Sequence, residues 1–273
     1  MLCTIQHIES IYQTYHKPEY LTIDPLVCVR RVSGAPQREI AALVAAVLSY
    51  GRVEQIIAHV DQILGMAAAA TSLVDFSVHV PLAQKRKLLR GFKHRFNDGT
   101  DMALLFECVG RTLKEYGSLE KCFGDTKQDM ASALHDFSTR MKKEARRCER
   151  NVCASFDFLF PSPVDKSACK RLAMFTRWMI RPDDGIDLGL WKSIERSSLI
   201  IPVDTHVARI AQSLNLTART AADWRMAEEI TTQLKKVDPA DPVKYDFSLC
   251  RFGMVGASLP VQRAAHKKRK GTR

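Results

Sequence analysis

The chain has 273 residues, 46% of them hydrophobic, and its 41 Lys and Arg outnumber 30 Asp and Glu to give a formal net charge of +11. That length holds one large or two modest hydrophobic units and excludes a small scaffold that needs disulfide staples. The positive excess attracts polyanions, so a nucleic acid is expected as partner ahead of an acidic metabolite.

In chain order, residues 4–16 have the pattern of a short helix, and Asp24-Pro25 marks a turn. From Arg38 to Tyr50 the sequence is almost entirely apolar and rich in alanine, which predicts a helix enclosed by other helices and serving as the central rod of a helical domain. Gly51 interrupts it, and Val53 to Leu64 resumes helical spacing. Pro81 opens a helix over 83–92 with Lys85, Arg86, Lys87 and Arg90 largely outward. Asn97-Asp98-Gly99-Thr100 is a turn in which Asp98 or Thr100 caps the apolar helix that follows. After a turn at Tyr116-Gly117-Ser118 and the short segment 119–123, residues 130–147 read as an amphipathic helix.

A proline-bounded loop over 156–165 leads into a helix over 166–180, and Pro182-Asp183-Asp184-Gly185 ends it. The apolar run before Asp204 turns into a helix from 205, followed by helices over 226–237 and 243–254. No stretch alternates long enough to require a sheet, so the expected class is all-α. The charged run from Lys142 to Arg150 suggests a boundary between regions 1–150 and 151–258, with the N-terminal segment able to pack on the second region. Residues 259–273 form a basic tail expected to be flexible.

Asp204 stands immediately before Val207, Ile210, Ala211 and Leu214, where an N-cap belongs. Its carboxylate can accept bonds from the first free amides, and capping alone accounts for its presence. The isoleucines and Val203 in front keep one side dry, which strengthens any charge interaction. Lys170 follows a loop and enters a mostly apolar helix, so it is a candidate nucleophile, with a solvated residue or phosphate contact as the plainer alternative. His206 can orient a water, touch phosphate or simply pack, and Arg209 can reach phosphate or pair internally.

Lys85, Lys87, Arg90, Lys93 and Arg95, with Asn97, define a basic face beside the rings of Tyr50, Phe92 and Phe96. That mixture suits holding a backbone against a displaced base, although a solvated helix explains most of the charge. Phe175 and Trp178 are candidates for a base pocket, against the commoner reading of core aromatics. The 8 cysteines contain no Cys-x-x-Cys pair, which suits buried thiols of a reducing compartment. Asp183, Asp184 and Asp187 read as turn carboxylates rather than cation ligands, so no metal site is expected.

The segment Val203-Asp204-Thr205-His206-Val207-Ala208-Arg209 resembles the V-D-T-H-x-x-R motif of helix-hairpin-helix DNA glycosylases of the endonuclease III type. Ser167 to Leu172, Phe175 to Met179, Asp187 to Trp191 and Asp241 to Phe247 resemble the uncharacterised bacterial family DUF2400, and Leu43 to Gln55 and Gly91 to Asp98 extend that likeness over most of the chain. The resemblance implies a two-lobed helical fold with double-stranded DNA in a central cleft and a damaged base flipped into a pocket. It also implies base-excision repair in which a lysine forms a Schiff base beside the catalytic aspartate, with hydrolase or β-elimination lyase chemistry. Asp204 matches that aspartate.

The endonuclease III type places its lysine in an L-P-G-x-G-x-K hairpin, at a spacing that falls here on Ile186. Archaeal glycosylases acting on 8-oxoguanine use a wider separation similar to that of Lys170, with Lys166 in reserve; 8-oxoguanine is the expected lesion by this analogy. Gln55, Arg171, His206 and Arg209 join the expected DNA or substrate contacts. The cysteine spacing offers no iron–sulfur motif, and no cofactor is expected. The 162–165 segment lacks the glycines that expose amides to phosphate, which leaves a non-catalytic DNA- or RNA-binding protein as the alternative. A cytoplasmic, nucleoid-associated monomer without a membrane partner is expected.

Overall fold

A computed structural model describes residues 2–124 and 129–255, so the basic tail over 259–273 lies outside the described residues. The described residues form an all-α fold, apart from a small antiparallel hairpin of β1 (Lys93–His94) and β2 (Asn97–Asp98).

At its centre stands α3 (Ala35–Val47), which follows Gly34, carries Pro36 in its first turn and is buried from Glu39 onward. It packs against α2 (Leu26–Arg30), α4 (Val53–Ala68), α5 (Leu73–Val78) and α11 (Lys170–Ile180). Its alanines let neighbouring backbones approach closely, while Ile40, Leu43, Val44 and Val47 are wholly buried. Each such large side chain contributes about 1.5–3 kcal/mol of transfer free energy. Glu39 is the one charged group on this buried stretch, and it is fully engaged. Its carboxylate accepts bonds from the Trp191 indole at 2.6 Å and from the amides of Leu119 and Glu120 at 3.1 and 3.0 Å, capping α8 (Leu119–Phe123).

Helix α5 carries no strong periodic signal in the sequence. Ser72 caps it by accepting from the Asp75 amide, and it lies along α7 (Gly99–Tyr116). The approach is so close that a Cβ on Gly110 would sit 2.0 Å from the Ser77 carbonyl oxygen. Gly110→Ala is therefore expected to destabilise by about 1–3 kcal/mol or more, read as a melting temperature lower by at least about 2–4 °C. Gly65→Ala, with nothing within 4 Å of its new methyl, is the control and should leave stability unchanged or raised. Equal melting temperatures would show that α5 and α7 do not meet as described.

The helix expected over 83–92 is shorter, α6 (Leu82–Leu88), because Gly91 takes φ 87 and turns the chain into the hairpin. Asp98, rather than Thr100, caps α7 through a capping box with Asp101. Part of the expected 156–165 loop is helical, as α10 (Ala154–Leu159), in which Phe156 and Leu159 are buried; Pro163–Asp165 then makes a single 3₁₀ turn capped by Ser162. Residues 166–169 are not helical: Lys166 and Cys169 adopt left-handed φ values of 59 and 48.

Buried hydrophobic residues fall into two clusters. The larger runs from Leu21 to Leu199, takes in Trp224, Val243 and Phe247 as well, and crosses position 150 without a break; the charged 142–150 stretch is largely the end of α9 (Met130–Cys148), whose other face is core. The smaller joins Ile8 and Ile11 of α1 (Leu2–Tyr15) to α12 (Thr205–Ser213), α13 (Trp224–Lys235) and α14 (Asp246–Met254). Helix α1 packs on α14, so the first and last described helices belong to one unit.

Candidate functional site

The apolar run before Asp204 is buried at Leu199, Ile201 and Val203, which fixes the start of α12 beside the smaller cluster. Asp204 is the N-cap: Oδ1 accepts from the amides of His206 and Val207, each at 2.9 Å. Oδ2 accepts the Cys250 thiol at 3.8 Å, a weak bond that leaves most of its capacity open. Burial and the Asp204 charge push the Cys250 thiol far above its ordinary range, so it stays a neutral donor.

Lys170 is the first residue of α11 and is half-buried. Left-handed Cys169 precedes it, held by a bond from its amide to the Ser167 hydroxyl at 3.2 Å. Two non-glycine residues in that region within four positions is a costly local arrangement, and it sets the direction in which α11 starts.

Lys170 and Asp204 line one cavity of about 360 Å³, within the ordinary range of small-molecule sites, roughly 300–1,000 Å³. The cavity lies where the two clusters meet. Its wall takes the residues Ile56, Met174 and Phe247 of the larger cluster and Val207 of the smaller, so α14 contributes to both, while Asp24-Pro25 and the bend from Gly51 to Glu54 complete it. His206 also lines it. Lys170 has neither hydrogen bond nor ion pair among the described residues.

Deeper in the wall a buried ionic network fixes the helices. Arg177 donates to Asp187 at 3.1 Å and to Asp246; Arg181 donates to Asp187 and, at 3.1 Å, to Asp241; Arg251 donates to Asp24. Burial pushes the Asp246 carboxyl up to about 6, against the pull of Arg177 and with help from the Asp204 charge. Burial likewise raises Asp187, opposed by Arg177 and Arg181.

Several expected contact residues lie elsewhere. Lys85 is fully buried, donating to Glu107 and to the Ser77 carbonyl, each at 2.7 Å, so it cannot reach DNA; α6 turns it inward and burial demands that pairing. Asn97 is also buried, bonding Asp101, the Ser155 carbonyl and the Tyr50 hydroxyl, and braces the hairpin. Phe175 and Trp178 are core residues with no exposure, so neither lines the cavity. Arg171 is buried against the carbonyls of Val47 and Phe158 with its guanidinium 4.2 Å from the Phe158 ring centre. Arg209 donates to the Gly253 carbonyl at 2.7 Å and ties α12 to α14. Lys166 is exposed and outside the cavity wall, and Gln55 is exposed beside lining Glu54.

Lys87, Arg90, Lys93 and Arg95 are exposed. Beside them Tyr50 and Phe96 stack at 6.0 Å with Phe158 edge-on to both, and Phe96 is 58% exposed. A Cβ on Gly51, a residue of the cavity wall, would sit 3.0 Å from the Arg95 side chain, so Arg95 lies against that part of the wall. The sequence pattern assigns no site role to Asp24, Arg177, Asp246, Arg251 or Cys250, although it marks Asp24-Pro25 as a turn and Cys250 as a buried thiol. For Arg177, Asp246 and Arg251 the signal is charge on the inward face of apolar helices, as it is for Arg181 four residues after Arg177, but no spacing rule pairs residues so far apart in the chain.

A family model described as a protein of unknown function, DUF2400, matches residues 24–255. The chain belongs to DUF2400. No curated protein and no solved structure matches it. The DUF2400 match takes in Lys170, Asp204 and every cavity-lining residue except Ile23. Among the described residues of this DUF2400 chain, no helix is long and apolar enough to cross a membrane, and no three His, Cys, Asp or Glu side chains are grouped to hold a metal ion.

Proposed function

We propose that this protein is a DNA glycosylase that removes a damaged base, with 8-oxoguanine the first candidate, and that it has β-elimination lyase activity through Lys170. One observation carries the reading: an unpaired lysine amine and a carboxylate with an open oxygen, far apart in sequence, line the same partly dry cavity. The cleft of a two-lobed glycosylase would correspond to the meeting of the two clusters.

In this mechanism a nucleotide flips out of the duplex and its sugar enters between Lys170 and Asp204. As the glycosidic bond breaks, its electron pair leaves with the base, and Asp204 stabilises the positive charge developing on the sugar. Lys170, acting as a free amine, bonds to C1′ through its nitrogen lone pair; one of the two N–H protons it then carries passes to the ring oxygen as the C1′–O4′ bond breaks, and the product is a protonated Schiff base. Loss of the C2′ proton then expels the 3′ phosphate. The exposed basic residues by the hairpin and the Tyr50–Phe96–Phe158 rings support the DNA side of the reading, as charge for the backbone and a surface for an unstacked base.

Borohydride reduction during incubation with an 8-oxoguanine duplex tests it. A covalent protein–DNA adduct is expected. Steeply salt-dependent DNA binding with no adduct and no base release across a panel of damaged duplexes would instead identify a non-catalytic binding protein.

A further inference from the structure

Cys108 and Cys148 are free thiols that meet on the seam between α7 and α9, outside the cavity wall. The register of that seam brings them together. The Thr112 hydroxyl of α7 reaches the Met141 sulfur of α9 at 3.9 Å. One turn back along α7 and two turns on along α9 the same faces carry Cys108 and Cys148, the pairing that two antiparallel helices require. The Cys108 thiol is hydrogen-bonded to the Cys148 sulfur. Cys108 has no exposure, whereas Cys148, the last residue of α9, is half-buried beside the exposed Arg111 side chain.

The two sulfurs are not equivalent. The bond from Cys108 holds the Cys148 thiol below its ordinary range against burial, with the Arg111 guanidinium helping and Glu107 and Glu144 opposing. The same bond, with burial, pushes Cys108 well up, so Cys108 keeps the proton. Burial raises the thiols of Cys28, Cys122, Cys169 and Cys250, and among the described residues Cys148 alone is shifted toward the thiolate. A thiolate near a cation, with a second thiol in reach, can react with an oxidant and then be resolved within the same chain.

We propose that Cys108 and Cys148 are a peroxide-reactive dithiol, in which Cys148 attacks and Cys108 closes a disulfide that ties the end of α9 to α7. The Cys148 thiolate attacks hydrogen peroxide and the O–O bond breaks. One oxygen stays on sulfur as a sulfenic acid, and the other leaves as hydroxide and takes up a proton to become water. Cys108 then gives up its proton, its sulfur bonds to that of Cys148, and the S–O bond breaks to release a second water. The two thiols lose two electrons, and the peroxide gains them. A thiol reductant reverses the bond. The pair shares no residue with the cavity wall, so it stands whether or not the excision chemistry does.

The test is to treat the reduced, full-length protein with a few equivalents of hydrogen peroxide, block the remaining thiols and map its peptides by mass spectrometry without reductant. A pair of peptides joined through Cys108 and Cys148, lighter by two hydrogens and separated by dithiothreitol, is expected to form before the exposed Cys153 is oxidised. Cys108→Ser keeps a hydroxyl to donate to Cys148 but removes the resolving sulfur. In that variant the Cys148 sulfenic acid should persist, and its capture by dimedone should rise at least about 3-fold over the wild type. If the variant does not fold, the wild-type peptide map still decides. Oxidation that begins at Cys153, a bridge from Cys148 to Cys153, or thiols at 108 and 148 that stay reduced while Cys153 oxidises overturns the proposal.

Discussion

Lys170→Ala is expected to abolish the borohydride-trapped adduct while duplex affinity stays within a few-fold, because the amine faces the cavity and holds no structural bond among the described residues. Lys166→Ala should trap normally, since Lys166 is exposed and outside the cavity wall. Loss of trapping in Lys166→Ala alone would transfer the nucleophile to that residue. Asp204→Asn is the sharper companion. Asparagine caps a helix nearly as well as aspartate, so the bonds to His206 and Val207 persist and stability should change little. The charge facing the sugar is gone, and base release should fall by about 10²–10³-fold. Asp204→Ala should lose base release and, in addition, about 0.5–2 kcal/mol of stability. If Asp204→Asn releases base at the wild-type rate, the residue is a cap and nothing more.

The second large effect is on folding. Asp187 has no exposure and holds both Arg177 and Arg181, which are themselves buried. Removing one partner of a buried pair strands charge in a low-dielectric interior, so Asp187→Ala should cost about 3–5 kcal/mol, a fall in melting temperature of about 6–20 °C. Arg30 adds bonds to the carbonyls of Ile186 and Asp187, each at 3.0 Å, so the same loop also holds α2. Urea denaturation measures the change. A loss under about 1 kcal/mol, the scale of an exposed ion pair, would show that the network is solvated rather than buried.

The network also accounts for what the residue pattern left unread. Helical periodicity placed most helices, since one side chain every three or four positions is a local quantity. The Asp204 cap was legible for the same reason: a short polar side chain before an apolar-periodic run has few other uses. Lys85 misled because a lysine among charged neighbours looks like part of a solvated face. Only the packing of α6 on α7 turns it toward Glu107. Phe175 and Trp178 shared the spacing of core residues and of a base pocket alike, and burial decided for the core.

All-α class, the enclosed alanine-rich helix, basic character and the capped carboxylate are written in composition and short-range order, because each depends on neighbours a few residues apart. Where the larger cluster ends, which helices join α1, and the meeting of Lys170 with Asp204 in one cavity depend on contacts between distant segments. Those contacts are chosen by which apolar faces bury together, and that choice is made by the whole chain at once, so it carries no local signature.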